Sequence, residues 1–201
     1  MKPLLLMGAM LALSSLSAFA GTVTYSTSTS QLCVGASGCG VGTQTIGGSV
    51  SVTFNPITSS SVLADPATFS SFGEIVISCV GGGSACSSQS LAGLNLFLNI
   101  VQTVPTAGIA SISAGVITGS ISGAGSSAVI TWSVPNAVSI GSVSYSLFNN
   151  QLSLVPPSSN GGTTSIQGVI TDSPVPEPST YALISSALLG LGLLRKRLVR
   201  Q

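Results

Sequence analysis

The sequence predicts an all-β body, a two-sheet β-sandwich of jelly-roll-like or immunoglobulin-like kind, flanked by an N-terminal signal peptide and a short C-terminal transmembrane helix. Three observations carry this. Short runs along the body alternate apolar and polar residues with a period of two, the spacing of a half-buried strand. The runs are separated by Gly, Pro, Asn and Ser, the residues of tight turns. The basic residues stand only at the two ends of the chain, each beside an apolar stretch: Lys2 at one end, and Arg195, Lys196, Arg197 and Arg200 at the other.

Residues 1–20 read as a signal peptide. Lys2 supplies a positive start, Leu4 to Leu16 a mostly apolar run, and Ala18-Phe19-Ala20 a small-x-small cleavage site before Gly21. The apolar run is shorter than the roughly 20 residues a permanent span needs. Signal peptidase and the secretion machinery are the partners this implies, with a mature chain beginning near Gly21.

The body, residues 21–172, supplies the strands. Val50, Val52 and Phe54 share one face of a run from Ser49 to Phe54. Leu94, Leu96, Leu98 and Ile100 share another, with Asn95, Phe97 and Asn99 opposite. Ile130, Trp132 and Val134 follow, then Val143, Tyr145 and Leu147, and last Ile166, Gly168 and Ile170. Residues 108–128 alternate loosely and make one or two strands. No stretch of the body has helical periodicity with caps. A β-solenoid is the rival architecture, because Gly, Ser and Thr richness also suits stacked coils, but no fixed repeat period is found. Trp132 reads as a core residue.

Composition narrows the function classes. Charged residues are 4% of the chain, against about 25% in ordinary soluble domains. Between Pro3 and Leu194 there is no Lys, Arg or His, only the acids Asp65, Glu74, Asp172 and Glu177, a formal charge of −4. A phosphate-binding surface needs clustered cations, so nucleic acid is excluded as a partner. Without His, the common general base and the Ser-His and Cys-His arrangements are missing, and without Lys the Ser-Lys dyad is too. Asp65 and Glu74 are the one carboxylate pair that hydrolysis of a glycoside could use. Asp65 precedes Pro66, a turn position. Gly81-Gly82-Gly83 lacks the Lys-Ser/Thr of a phosphate loop, and no Asp-rich loop offers a calcium site. The expectation is a chain without catalytic residues, cofactor or metal.

The four cysteines form two short segments of like composition, Cys33 to Cys39 and Cys79 to Cys86. Four cysteines permit three pairings. Their Gly-rich spacers favour local closure, Cys33 with Cys39 and Cys79 with Cys86, and export to an oxidising compartment favours bridges over thiols. Zinc is disfavoured by the lack of His and by spacing wider than zinc pairs use, and a redox centre by the lack of C-x-x-C.

Residues 173–201 form the second address. Pro174, Pro176 and Pro178 impose an extended backbone over 174–180, accessible to a processing enzyme. The apolar run 181–194 is 14 residues, about 21 Å as a helix against a hydrocarbon core of about 30 Å, a length that suits a temporary anchor. Basic residues over 195–200, led by Arg195, Lys196 and Arg197, stop transfer and remain cytoplasmic.

Val175-Pro176-Glu177-Pro178-Ser179-Thr180, the Ala/Leu/Gly-rich run with Gly190 and Gly192, and the Arg-Lys-Arg stop closely resemble the PEP-CTERM sorting signal. The resemblance covers about 30 residues. It implies that the chain is a substrate of an exosortase, a membrane enzyme that cuts near the motif. Val175, Pro176, Glu177 and Pro178 are then recognition residues. It further implies transient anchoring in the inner membrane of a Gram-negative bacterium that makes extracellular polysaccharide, followed by display at the cell surface or in the matrix. Two function classes remain for the body: a structural or interaction protein of the envelope or biofilm, or a carbohydrate-binding or adhesive module. For the second, the body's stacking residues are Trp132, Tyr25 and Tyr145, and exposure of Trp132 on a concave face is the feature that would favour it. A hydrolase is a distant third.

Overall fold

The clearest alternation in the body, Leu94 to Ile100, becomes the middle of an 11-residue strand, Leu94–Val104. Leu94, Leu96, Leu98 and Ile100 are buried while Phe97 on the opposite face is exposed, as a pleat with a period of two requires. The strand stops where Pro105, with no N–H to give the ladder, follows Val104.

The structure, a computed structural model, describes residues 21–35, 38–64, 67–83 and 85–173, with residues 184 and 186–188 of the C-terminal segment. The expected signal peptide (1–20), the Pro-rich motif, most of the apolar run and the basic stop lie outside the described residues. Ile184, Ser186, Ala187 and Leu188 are helical. No helix among the described residues is long and apolar enough to cross a membrane.

Among the described residues the strands, in chain order, are β1 (Thr22–Ser26), β2 (Gln31–Val34), β3 (Gly38–Gly40), β4 (Thr43–Ile46), β5 (Val50–Asn55), β6 (Ser60–Leu63), β7 (Thr68–Cys79) and β8 (Gln89–Ser90). They continue as β9 (Leu94–Val104), β10 (Gly108–Thr118), β11 (Ser120–Ile121), β12 (Val129–Trp132), β13 (Ala137–Ile140), β14 (Val143–Leu147), β15 (Gln151–Ser153) and β16 (Thr163–Asp172). The first sheet runs β15-β12-β10-β9-β1-β6, with β2 also paired to β9 and β3 closing a hairpin on β2. The second runs β13-β14-β16-β7-β5-β4, and β11 pairs with β8 apart from both. Every pairing is antiparallel, many between strands far apart in sequence, such as β1 with β9 and β16 with β7. Stacked solenoid coils are therefore not what is observed. The outermost strands of both large sheets (β15, β6, β13 and β4) are only three or four residues long, which limits the unpaired backbone offered to another chain.

The inner faces of the two large sheets share one buried core. Val50, Val52 and Phe54 of β5 and Val143 and Tyr145 of β14 belong to it with Leu94 to Ile100 of β9 and Ile130 and Trp132 of β12. Val134, expected on the Trp132 face, is instead 78% exposed, because the strand ends at Trp132 and Pro135 follows. Residues 20–173 form this unit, and the terminal segments are not counted in it.

Two bulges shift which residues face inward. In β7, Ser71 faces Gln167 and Glu74 faces Ser165, so β7 carries one residue more than β16 between these pairs. Gly73 sits there at φ +123°, where an added Cβ would meet the Phe54 ring and the Asn55 carbonyl, so only Gly fits. The inward set changes from Phe72 to Ile75, Ile77 and Cys79. β10 does the same between Ile112 and Gly115. Gly168 of β16 is a close approach of another kind, where a Cβ would collide with the Phe72 ring and the Ser146 carbonyl.

Gly168→Ala is accordingly expected to lower stability by about 1–3 kcal/mol through overpacking, whereas Gly161→Ala, with open space around it, costs only the strain of its positive φ. Urea unfolding midpoints of the two variants check the order.

Candidate functional site

Tyr25, Tyr145 and Trp132, the stacking residues the sequence offers, all lie inside the protein. Tyr25 and Tyr145 are buried, and Trp132 is 3% exposed. Tyr25, on β1 of the first sheet, packs edge-on against Phe72 and Tyr145 of the second, with both ring centroids 5.8 Å away. Its hydroxyl donates to the Ser71 carbonyl at 2.6 Å and meets Ser70 Oγ. The Tyr145 hydroxyl donates to Gln102 Oε1 at 2.6 Å, and Gln102 Nε2 donates to the Thr106 carbonyl at 2.7 Å. Burial, then the neighbouring Tyr25 and Asp172, push the Tyr145 hydroxyl well above its ordinary range, which keeps it a donor. Trp132 lies opposite Gly115, the small neighbour that makes room for the indole, and its Nε1 is buried without a hydrogen-bond partner among the described residues. None of the three presents a ring for a ligand to stack on.

Two phenylalanines do. Phe69 on β7 is 71% exposed and Phe148, just past β14, is 57% exposed. Their centroids are 5.6 Å apart with the ring planes at 69°, an edge-to-face pair. Both sit on the outer face of the second sheet, joined through β16: Val169 faces Phe69, and the Phe148 N–H donates to the Gln167 carbonyl at 3.0 Å. A hollow of about 350 Å³ is lined by Phe69, Ser70, Ser71, Phe148 and Gln167. A smaller one of about 70 Å³ shares Phe148 and Gln167 and continues to Asn149, Gln151, Ser165 and the edge of Trp132. The two hollows meet at Phe148. Apart from the Trp132 indole, each polar lining side chain is a hydroxyl or a carboxamide, and Leu147, Leu152 and Ile166 complete the smaller hollow.

The sequence carried a signal for this pair that strand alternation alone passes over. Phe69 and Phe72 stand three apart, so on a regular strand they cannot share a face. Leu147 and Phe148 are consecutive, so one of them must turn outward. Of the carboxylates, Asp65 lies outside the described residues. Glu74 accepts from Ser165 Oγ at 3.4 Å, and Asp172 accepts from Ser142 Oγ at 2.7 Å. Among the described residues no cluster of three His, Cys, Asp or Glu side chains gathers.

Both disulfides form as the Gly-rich spacers favour. Cys33 and Cys39 face each other across the β2–β3 hairpin with Cα atoms 4.0 Å apart. Cys79, the last residue of β7, reaches Cys86 at 5.4 Å. Each closes a loop at a strand end.

The structure thus defines an all-β, disulfide-bonded protein with a separate C-terminal segment. That segment carries a PEP-CTERM protein-sorting motif, whose family model matches residues 174–197. The motif marks an exported protein directed to an exosortase, a membrane enzyme. No curated protein and no solved structure matches the chain.

Two outcomes follow from these side chains. Replacing Cys33 and Cys39 by Ser is expected to cost about 2 kcal/mol, the lower part of the disulfide range for so short a loop, read from unfolding midpoints. Because the folded state holds Tyr145 protonated and the unfolded state ionises near its ordinary value of about 10, this contribution is complete below about pH 10 and is lost as the pH rises above it. Stability followed from pH 8 to 11 is expected to fall less steeply in Tyr145→Phe, which itself starts about 1–3 kcal/mol lower because Gln102 Oε1 loses its donor.

Proposed function

We propose that this chain is an exported structural or interaction protein of the cell envelope or biofilm, delivered through its C-terminal PEP motif. The match at residues 174–197 carries the reading. In this reading residues 1–20 are a signal peptide removed after Ala20. The run 181–194 is a short transmembrane helix that anchors the chain transiently in the inner membrane, and Arg195, Lys196 and Arg197 hold its cytoplasmic end. The exosortase recognises Val175-Pro176-Glu177-Pro178 and passes the body outward, to the surface of a Gram-negative cell. The body is a sandwich without catalytic function. Its want of His, Lys and Arg between Pro3 and Leu194 supports that.

The layout of the body suits two cuts. The Gly21 carbonyl accepts from the Ala64 N–H, and the Ala64 carbonyl accepts from the Asp172 N–H, while the Ser173 N–H donates to the Ser142 carbonyl. The first and last described residues of the body therefore leave from one corner. Gly21 precedes β1 and Ser173 follows β16, so cleavage outside them removes no strand from either sheet.

Mass spectrometry of the mature protein from its own host is expected to find a chain beginning near Gly21 and ending near 176–180. A mature chain still carrying Gln201 contradicts the proposal. Replacing Pro176, Glu177 and Pro178 together by Ala is expected to leave uncut precursor in the inner-membrane fraction, and normal surface display of that variant counts against recognition of the motif.

A further inference from the structure

We infer that the Phe69–Phe148 cleft is a binding site for a neutral polysaccharide. The inference gives the adhesive reading of the body a specific site, and it does not depend on how the tail is processed.

Two exposed phenyl rings on the outer face have no role in the core, and both line the larger hollow while Phe148 alone also lines the smaller. The negative face of an aromatic ring accepts the weakly positive C–H bonds on the flat side of a pyranose. Around the rings stand Ser71, Gln167, Asn149 and Gln151, whereas the Ser70 hydroxyl turns inward to Tyr25. Hydroxyls and carboxamides each both donate and accept, the pattern that pairs with vicinal sugar hydroxyls. Apolar walls with a few convergent polar groups are the usual make-up of a ligand site. The two hollows share Phe148 and Gln167, and the smaller reaches inward to the buried Leu147, Ile166 and Trp132, so the larger, on the outer face, is where a stretch of polymer would lie.

Charge selects among polymers. Among the described residues Glu74 and Asp172 are the only Asp, Glu, Lys, Arg or His. Neither lines a hollow, although Glu74 accepts from Ser165 at the rim. An acidic polysaccharide would find no cation here and one carboxylate nearby. A neutral one loses nothing.

The test is affinity electrophoresis of the full chain in detergent micelles, through gels containing dextran, hydroxyethyl cellulose, galactomannan or, as the acidic comparison, hyaluronate. The expected result is retardation by at least one neutral polymer, unchanged between low and high salt, with no retardation by hyaluronate. Phe69→Ala and Phe148→Ala are each expected to weaken it by about tenfold, the lower end of what removing an aromatic from under a stacked nucleobase costs. Gln167→Ala is expected to weaken it less. Both rings are exposed and lose only their contact with each other, so the variants still unfold cooperatively with midpoints close to the parent's, which separates lost binding from lost folding. Trp132, the single tryptophan, lines the smaller hollow, so its fluorescence is expected to shift on binding in the parent and not in Phe148→Ala. Failure of all three neutral polymers to retard the chain, or equal retardation of the Phe69→Ala/Phe148→Ala double variant, overturns the proposal. So does retardation by hyaluronate alone. Self-association abolished by the same substitutions, without retardation by a neutral polymer, assigns the cleft to a second copy and overturns it too.

Discussion

The two large sheets exchange tyrosine hydroxyls across their shared core. Tyr25 crosses from the first sheet to the Ser71 carbonyl of the second, and Tyr145 crosses back to Gln102 of the first. Around them the rings of Tyr25, Phe72 and Tyr145 pack edge-on or tilted. Apolar burial alone would hold the sheets together but would tolerate sliding, since one Leu or Ile replaces another at small cost. A buried hydroxyl with a single acceptor does not tolerate it, because a lost partner leaves a desolvated polar group behind. The crossing therefore sets how β1 lies over β7 and β14, and with that where the outer face of the second sheet presents Phe69 and Phe148.

A chain nearly free of charge has to make its surface from hydroxyls and amides. Many of these bond one another across strands. Thr43 and Thr53 pair at 2.8 Å, Ser111 donates to Asn99 at 2.6 Å, and Thr24 meets Ser61 at 2.9 Å. Each such pair takes up hydrogen-bonding capacity that would otherwise be open to ligands. Against that background a cleft whose walls are two exposed rings and whose rim is amides stands apart. The same lack of charge leaves the sheets without the inward or edge-placed lysines that commonly protect them, and the short outermost strands take over that protection.

Alternation was legible wherever a strand keeps its parity. β5, β9, β14 and β16 were readable from their apolar residues because each buries every second residue through the stretch that was read. The 12-residue β7 was not. Its bulge at Gly73 moves the buried set from even to odd positions, so no single alternation runs through Thr68–Cys79. The loose pattern at 108–128 has the same origin in the β10 bulge. Trp132 as core and the local cysteine pairing followed from residue size and Gly-rich spacers. The stacking residues did not, because Tyr25 and Tyr145 differ from a surface tyrosine only in what the opposite sheet supplies, and that partner is distant in sequence. Phe69 and Phe148 become visible as surface residues only once their neighbours Phe72 and Leu147 are known to face inward.

The sorting motif and the body divide the labour between them. The motif sets the destination, and the body, closed by its own two-sheet core and two local disulfides, is what arrives. Delivery by the exosortase is the claim on which the rest of the biology hangs. Its most direct measurement is fractionation of the native chain in the host and in a strain lacking the exosortase. Surface or extracellular recovery in the host, with uncut chain held in the inner membrane of the deletion strain, is the predicted result. Equal surface recovery from both strains would contradict it.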